Sequence, residues 1–122
     1  MKTGLVIEDN EDNMVLITRF LQKFGHQTLR AQTGMEGYEM AMERHPDFII
    51  LDIQLPDIDG IEVLKKIRAR EEGKNIPVIV MTSYAMAGDR EKLLSTGCLG
   101  YIEKPFDPER VISQIRKLLG EL

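Results

Sequence analysis

Short apolar segments alternate with segments of helical periodicity along the whole chain, and this alternation limits the fold more than any other feature. The apolar segments are centred near residues 6, 29, 50, 79 and 101. Residues 48–51 and 78–81 are apolar throughout, which is typical of strands buried on both faces. Gln27–Ala31 alternates polar with apolar residues and therefore predicts an edge strand.

Helical patterns separate these predicted strands. Asp59, with Glu62 three residues later, forms a variant of the capping box at the start of a third helix, and Asp107 followed by Pro108 suits the start of the last one. Before Gly25, which is placed to end the first helix, apolar residues recur at helical spacing: Met14, Ile17, Leu21 and Phe24. Five strands alternating with five helices predict an α/β fold, with right-handed crossovers and a parallel sheet covered on both sides.

Length and composition favour one domain over residues 1–122, without an output domain. The net charge of −4 disfavours nucleic acid and anionic membranes as partners, because an acidic surface repels both. Cys98 is the one cysteine, which excludes an internal disulfide and a cysteine metal site. The apolar run 5–7 is too short for a signal peptide or a membrane span, so we expect a cytoplasmic location.

Polar and charged residues follow four of the predicted strands. Glu8 and Asp9 come after the first strand, Asp52 after the third, Thr82 after the fourth and Lys104 after the fifth. The carboxyl ends of parallel strands meet at one edge of the sheet, where such folds bind their ligands. The sequence therefore predicts that three carboxylates, a hydroxyl and an ammonium surround one small pocket.

This set of groups suits the transfer of a phosphoryl group. Three clustered carboxylates repel one another, and a hard divalent cation such as Mg²⁺, bound through oxygen, relieves that repulsion. Asp52, beside a cation and Lys104, can attack phosphorus as a nucleophile. The same positive charges neutralise the transferred oxygens, and the Thr82 hydroxyl can donate to one of them.

The motifs that carry these residues resemble the receiver domain of two-component response regulators, the CheY-like superfamily. The resemblance lies in segments 7–14 (IEDNEDNM), 52–60 (DIQLPDIDG) and 81–86 (MTSYAM), and in Lys104 with Pro105. It extends from about residue 5 to residue 119, and its motifs are most similar to stand-alone receivers of the DivK type. It implies a flavodoxin-like (βα)5 fold, whose doubly wound parallel sheet has the strand order 2-1-3-4-5.

The resemblance also implies an acceptor and a metal site. Asp52 matches the phosphorylated aspartate of the family. Asp9 matches a direct Mg²⁺ ligand, with Mn²⁺ as an alternative ion, and Glu8 matches an acidic neighbour that reaches the metal through water. Asp52 itself and the backbone carbonyl of Gln54 complete the implied ligand set.

Other positions match the family's switch. Lys104 matches the lysine that contacts the phosphoryl group, and Pro105 the proline that follows a cis bond and aims that lysine. Thr82 matches the switch hydroxyl and Tyr101 the switch aromatic. Gln54 and Tyr84 occupy positions that tune how fast water removes the phosphoryl group.

The implied function is regulatory rather than enzymatic. A sensor histidine kinase or a histidine phosphotransfer protein donates the phosphoryl group, as in a phosphorelay. The modified domain, a monomer or weak dimer, then changes the surface formed by the fourth helix, the fifth strand and the fifth helix, where a downstream protein binds.

Three alternatives share parts of this pattern. A hydrolase of the haloacid dehalogenase class also uses an aspartate and Mg²⁺, but it requires a second Asp where this chain has Gln54. A flavodoxin-like FMN carrier requires a phosphate-binding loop after the first strand, where residues 8–12 are largely acidic. The third alternative is a scaffold that keeps the receiver fold without being phosphorylated.

Structural interpretations suffice for several other residues. Met14 and Ile17 fall on the expected core face of the first helix. Cys98 is expected to be a small, partly buried residue. His26 and His45 precede predicted strands in turns, so we expect both to be solvated.

Overall fold

Five parallel strands and five helices make up the chain in a computed structural model, which describes residues 2–83, 87–104 and 107–120. The strands are β1 Thr3–Ile7, β2 Gln27–Ala31, β3 Phe48–Asp52, β4 Val78–Thr82 and β5 Gly100–Glu103. The helices are α1 Glu11–Lys23, α2 Gly34–Arg44, α3 Gly60–Arg68, α4 Ala87–Ser95 and α5 Pro108–Leu118, with a 3₁₀ turn at Glu71–Gly73. None of these helices is long and apolar enough to cross a membrane.

The sheet has the order β2-β1-β3-β4-β5, so the fold predicted from the sequence is confirmed. The chain adds β2 on one side of β1 and then continues with β3 on the other side. This reversal leaves a crevice at the carboxyl ends of β1 and β3, where doubly wound sheets bind ligands. Ile7 lies opposite Leu51 in the register, and Asp52 lies opposite Met81.

Alternating residues of the central strands supply two separate cores. One face of the sheet, from Ile7, Leu51 and Val80, packs against α2, α3 and the buried Leu93 of α4. The other face, from Val6, Ile50, Ile79 and Met81, packs against α1 and α5. Because both faces are covered, the sequences of β3 and β4 are apolar without interruption.

Helix termini follow the predicted signals, with one difference. Gly25 has a φ of +87° just after α1, a conformation that glycine adopts without strain. The side chain of Asp59 caps α3 by accepting a hydrogen bond from the Ile61 N–H at 2.7 Å. The prediction of a capping box is wrong in its second half, because the Glu62 carboxylate pairs with Lys65 one turn later.

The burial of His26 and the exact ends of β3 and β4 differ from the predictions. His26 is only 8% exposed, because its ring packs edge-on against the Phe48 ring at a centroid distance of 5.6 Å. The prediction of a solvated His26 is therefore wrong, whereas His45 is exposed. Asp52 and Thr82 are the last residues of their strands rather than the first residues after them.

Candidate functional site

The predicted polar residues meet at the carboxyl edge of the sheet. Glu8 directly follows β1, and its N–H donates to the Ala31 carbonyl at 3.0 Å, which extends the pairing with β2. Asp52 ends β3, the neighbouring strand. The side chains of Glu8 and Asp52 are buried, whereas Asp9 is exposed. The crevice between β1 and β3 thus has two buried acids at its base and one acid open to solvent.

Three carboxyl groups share this crevice. Glu8, Asp9 and Asp52 each present an oxygen, and these oxygens all lie within 4.8 Å of one another. Buried carboxylates this close are stable only when positive charge or protons compensate them. The donor atoms are all oxygens, as hard divalent cations prefer, so the residues fit a magnesium-type ion.

Lys104 supplies the positive charge that lies inside the cluster. Its Nζ is 2.9 Å from Asp52 Oδ2 and 3.5 Å from Glu8 Oε2, and its side chain is 15% exposed. The Lys104 N–H donates to the Thr82 carbonyl at 2.8 Å, which fixes the backbone from which this side chain extends. When all three carboxyl groups are ionised, one ammonium leaves excess negative charge, which a divalent cation would neutralise.

The two oxygens of Asp52 have different partners. Oδ2 faces Lys104, whereas Oδ1 accepts a hydrogen bond from the backbone N–H of Gln54 at 3.1 Å. The start of α3 lies close against the same residue, since a Cβ added at Gly60 would lie 2.3 Å from the Asp52 carbonyl oxygen. Position 60 therefore has to be glycine for α3 to begin where it does.

Burial raises the pKa of Glu8 to about 7, and hydrogen bonding to Asp52 and its negative charge act in the same direction. The amide of Asn13 donates to Glu8 Oε1 at 3.1 Å, and this bond, with the charge of Lys104, partly offsets the rise in pKa. Sequence reasoning missed Asn13. Its position in the first turn of α1, five residues after Glu8, is a signal that could have found it.

We expect the stability of the metal-free protein to decrease as pH rises through the range set by Glu8. The unfolded carboxyl has a pKa of 4.5 and the folded one about 7, so the folded state keeps a proton that the unfolded chain has released. This proton stabilises the folded state fully below pH 4.5. The stabilisation is lost as pH rises through about 7, and the free energy of unfolding falls by about 3 kcal/mol as a result. Urea denaturation in a chelator, at a series of pH values, measures it.

Glu8→Gln removes the titrating group and should flatten that part of the curve, whereas Glu39→Gln, on the exposed face of α2, should not. Equal pH dependence in Glu8→Gln and the unmodified protein would contradict this assignment.

Thr82 and Tyr101 lie on the same side of the sheet. Thr82 is fully buried and lines a cavity of about 560 Å³ between α3 and α4. Tyr101 is half-buried, pairs in register with Val80, and borders a separate groove of about 400 Å³ beside Lys104 and α5. Thr82 follows Met81, the residue paired with Asp52, and Tyr101 shares its groove with Lys104, so both lie near the site. Their switch roles remain predictions.

Of the remaining predicted positions, the structure describes Gln54 but not Tyr84 or Pro105. Gln54 is exposed, and its side-chain oxygen accepts a bond from the Ser83 hydroxyl at 3.4 Å. Pro105, Tyr84 and the predictions made for them lie outside the described residues.

Comparisons with known proteins agree on one family. A sequence profile of the response regulator receiver domain matches residues 5–116. The polar-differentiation response regulator DivK of Brucella ovis is 42% identical over 120 residues, which cover 98% of each chain.

Solved structures agree as well. The receiver domain of the sensor histidine kinase PA1611 of Pseudomonas aeruginosa, with a magnesium ion coordinated in its active-site cleft, is 31% identical at a TM-score of 0.86 and covers 98% of each chain. The chemotaxis response regulator CheY4 of Vibrio cholerae, at 24% identity, shares the fold with a TM-score of 0.91, over 97% of this chain and 98% of its own.

Proposed function

The chain belongs to the response regulator receiver domain family of two-component signalling, and we propose that Asp52 is its phosphoacceptor. A phosphohistidine of a sensor histidine kinase or histidine phosphotransfer protein is the proposed donor. The observation that carries the proposal is the buried Asp52 carboxylate, held 2.9 Å from the Lys104 ammonium beside two further acids. A nucleophile flanked by positive charge and free of bulk water is suited to attack on phosphorus.

The proposed metal site uses Asp9, Asp52 and the backbone carbonyl of Gln54. Asp9 is exposed and suits a direct ligand, whereas Glu8 is already bonded to Asn13 and close to Lys104, so it suits contact through water. Mg²⁺, or Mn²⁺ in its place, would neutralise the charge on the transferred oxygens. The related receiver of PA1611, crystallised with magnesium in its cleft, supports this choice of ion.

In the proposed reaction, a carboxylate oxygen of Asp52 forms a bond to phosphorus while the bond from phosphorus to the donor's imidazole nitrogen breaks. The imidazole leaves with the electron pair of that bond. Lys104, within hydrogen-bond distance of Asp52, exchanges part of its contact for an oxygen of the incoming group. The Gln54 N–H holds Asp52 Oδ1 and thereby orients the carboxylate.

The phosphorylated product would then act through Thr82 and Tyr101. The hydroxyl of Thr82 donates to a phosphoryl oxygen, and its movement lets Tyr101 turn inward. The surface of α4, β5 and α5 changes as a result, and a downstream protein binds there.

We propose a regulatory domain, residues 1–122, without activity on a separate substrate. Gln54 lies where a dehalogenase-type phosphatase needs its acid, and it cannot donate a proton in that way. A cytoplasmic location and a monomer or weak dimer complete the proposal; the free thiol of Cys98 suits a reducing compartment. The remaining alternative is a scaffold that is never phosphorylated.

A phosphorylation assay separates these possibilities. With Mg²⁺ and acetyl phosphate, we expect one phosphoryl group per chain, detected by intact-protein mass spectrometry and removed by hydroxylamine as an acyl phosphate. A chelator should prevent the modification. A chain that stays unmodified both with acetyl phosphate and with a panel of phosphorylated kinases would be a scaffold, and repeated hydrolysis of a phosphate monoester would indicate a phosphatase.

A further inference from the structure

The loop between β3 and α3, residues 53–59, is hydrogen-bonded to the start of α2 through the carboxylate of Asp57. Asp57 Oδ1 accepts a hydrogen bond from the Gly34 N–H at 2.7 Å, and Oδ2 accepts one from the Met35 N–H at 2.9 Å. Asp57 thus bonds the first two N–H groups of a helix that lies more than 20 residues earlier in the chain. We call this pair of bonds the Asp57 clasp.

The start of α2 is built to receive this carboxylate. The next N–H, from Glu36, donates to the Thr33 hydroxyl at 3.1 Å, so the helix's own cap leaves the first two N–H groups to Asp57. Gly34 permits the close approach, because a Cβ there would lie 2.7 Å from a Val63 methyl carbon and 3.3 Å from Asp57 Oδ1. Bonding to the Met35 and Gly34 N–H groups lowers the pKa of Asp57, so the clasp is an ionic one at neutral pH.

The Asp57 clasp affects the position of Gln54 through the two residues that connect them. The near end of the loop is held by the Ile53 N–H, which donates to the Met81 carbonyl at 3.1 Å. Leu55 and Pro56 then connect Gln54 to Asp57. Proline fixes its own φ and restricts the residue before it to extended conformations, so this connection is stiff. A shift of Asp57 is therefore transmitted to the Gln54 carbonyl.

We propose that Asp57 is a positioning residue for the metal site: by fastening the loop to α2, it fixes the direction of the Gln54 carbonyl. This inference rests on the proposed function, in which that carbonyl is a metal ligand. A misdirected carbonyl weakens ion binding without removing any ligand atom, and the remaining carboxylates still attract the ion. Groups that orient metal ligands without touching the metal commonly affect affinity in this way.

Binding of Mn²⁺, measured by the loss of its free EPR signal, tests the inference without relying on phosphorylation. For Asp57→Ala we expect affinity about tenfold weaker than in the unmodified protein. For Asp57→Asn, which keeps one acceptor oxygen, we expect a smaller loss. Thr33→Ala is the matched control: it removes the other cap of the same helix terminus but leaves the loop bonded, so it should bind Mn²⁺ normally.

Hydrogen exchange of the Gly34 and Met35 amides, with circular dichroism, reports whether the clasp is broken while the fold is kept. Unchanged Mn²⁺ affinity in a folded Asp57→Ala protein, or an equal loss in Thr33→Ala, would overturn the inference. Asp9→Asn identifies a failure of the proposed function itself. If Asp9→Asn binds Mn²⁺ as tightly as the unmodified protein, the metal site is wrongly assigned and the inference fails with it.

Discussion

Asp52→Asn is expected to lose phosphorylation entirely, with a rate at least about a thousandfold below that of the unmodified protein. The amide oxygen is a poor nucleophile, and the amide cannot carry the acyl phosphate product. Its NH₂ group would also face a donor in either orientation, because Lys104 now lies 2.9 Å from Oδ2 and the Gln54 N–H donates to Oδ1. Intact-protein mass spectrometry over time, with acetyl phosphate and Mg²⁺, measures the effect.

The control for Asp52→Asn is Asp12→Asn, an equivalent change on the exposed first turn of α1. It should be phosphorylated normally. The Asp52→Asn protein should remain folded, because the substitution removes one of three clustered acidic groups and the asparagine side chain fits the same space. If it still acquires one hydroxylamine-labile phosphate, the acceptor is another carboxylate and the assignment of Asp52 is wrong.

Lys104→Met is expected to slow phosphorylation by about a hundredfold or more while leaving metal binding intact. Methionine keeps much of the apolar length of lysine but removes the ammonium that would contact the transferred oxygens. With less positive charge beside Glu8 and Asp52, the affinity for a divalent cation should hold or increase. Initial rates at saturating Mg²⁺ separate the effect on the reaction from the effect on binding.

Lys74→Met is the matched control for the loss of one lysine, because Lys74 is exposed and precedes the amino end of β4, whereas the site lies at the carboxyl ends of the strands. A Lys104→Met protein that reacts at the unmodified rate would show that the ammonium has no part in the transfer. A large loss of Mn²⁺ affinity would show instead that the site has collapsed.

The fold and the clustering of the site were predictable because they follow from periodicity and parallel pairing. Once β1, β3, β4 and β5 are parallel, Asp52, Thr82 and Lys104 have to end at the same edge of the sheet. Their order along the chain and their neighbouring residues then match one family.

The contacts that support the site were harder to predict from the sequence, because they depend on how loops and helix ends approach one another. Nothing in strand periodicity indicates that Asn13 bonds Glu8, or that Asp57 reaches α2. His26 shows the same limitation: its turn suggested exposure, but the Phe48 ring from a neighbouring part of the sheet covers it.

The contact between Lys104 and Glu8 joins residues 96 positions apart. A single domain folds as a unit, and one of the two cores contains side chains of β4, β5 and α5 together with those of β1 and β3. A chain that ends before Lys104 lacks part of that core as well as the ammonium. The late segment that brings the ammonium to the acids therefore also completes the core, and a prematurely ended chain should be neither stably folded nor phosphorylated.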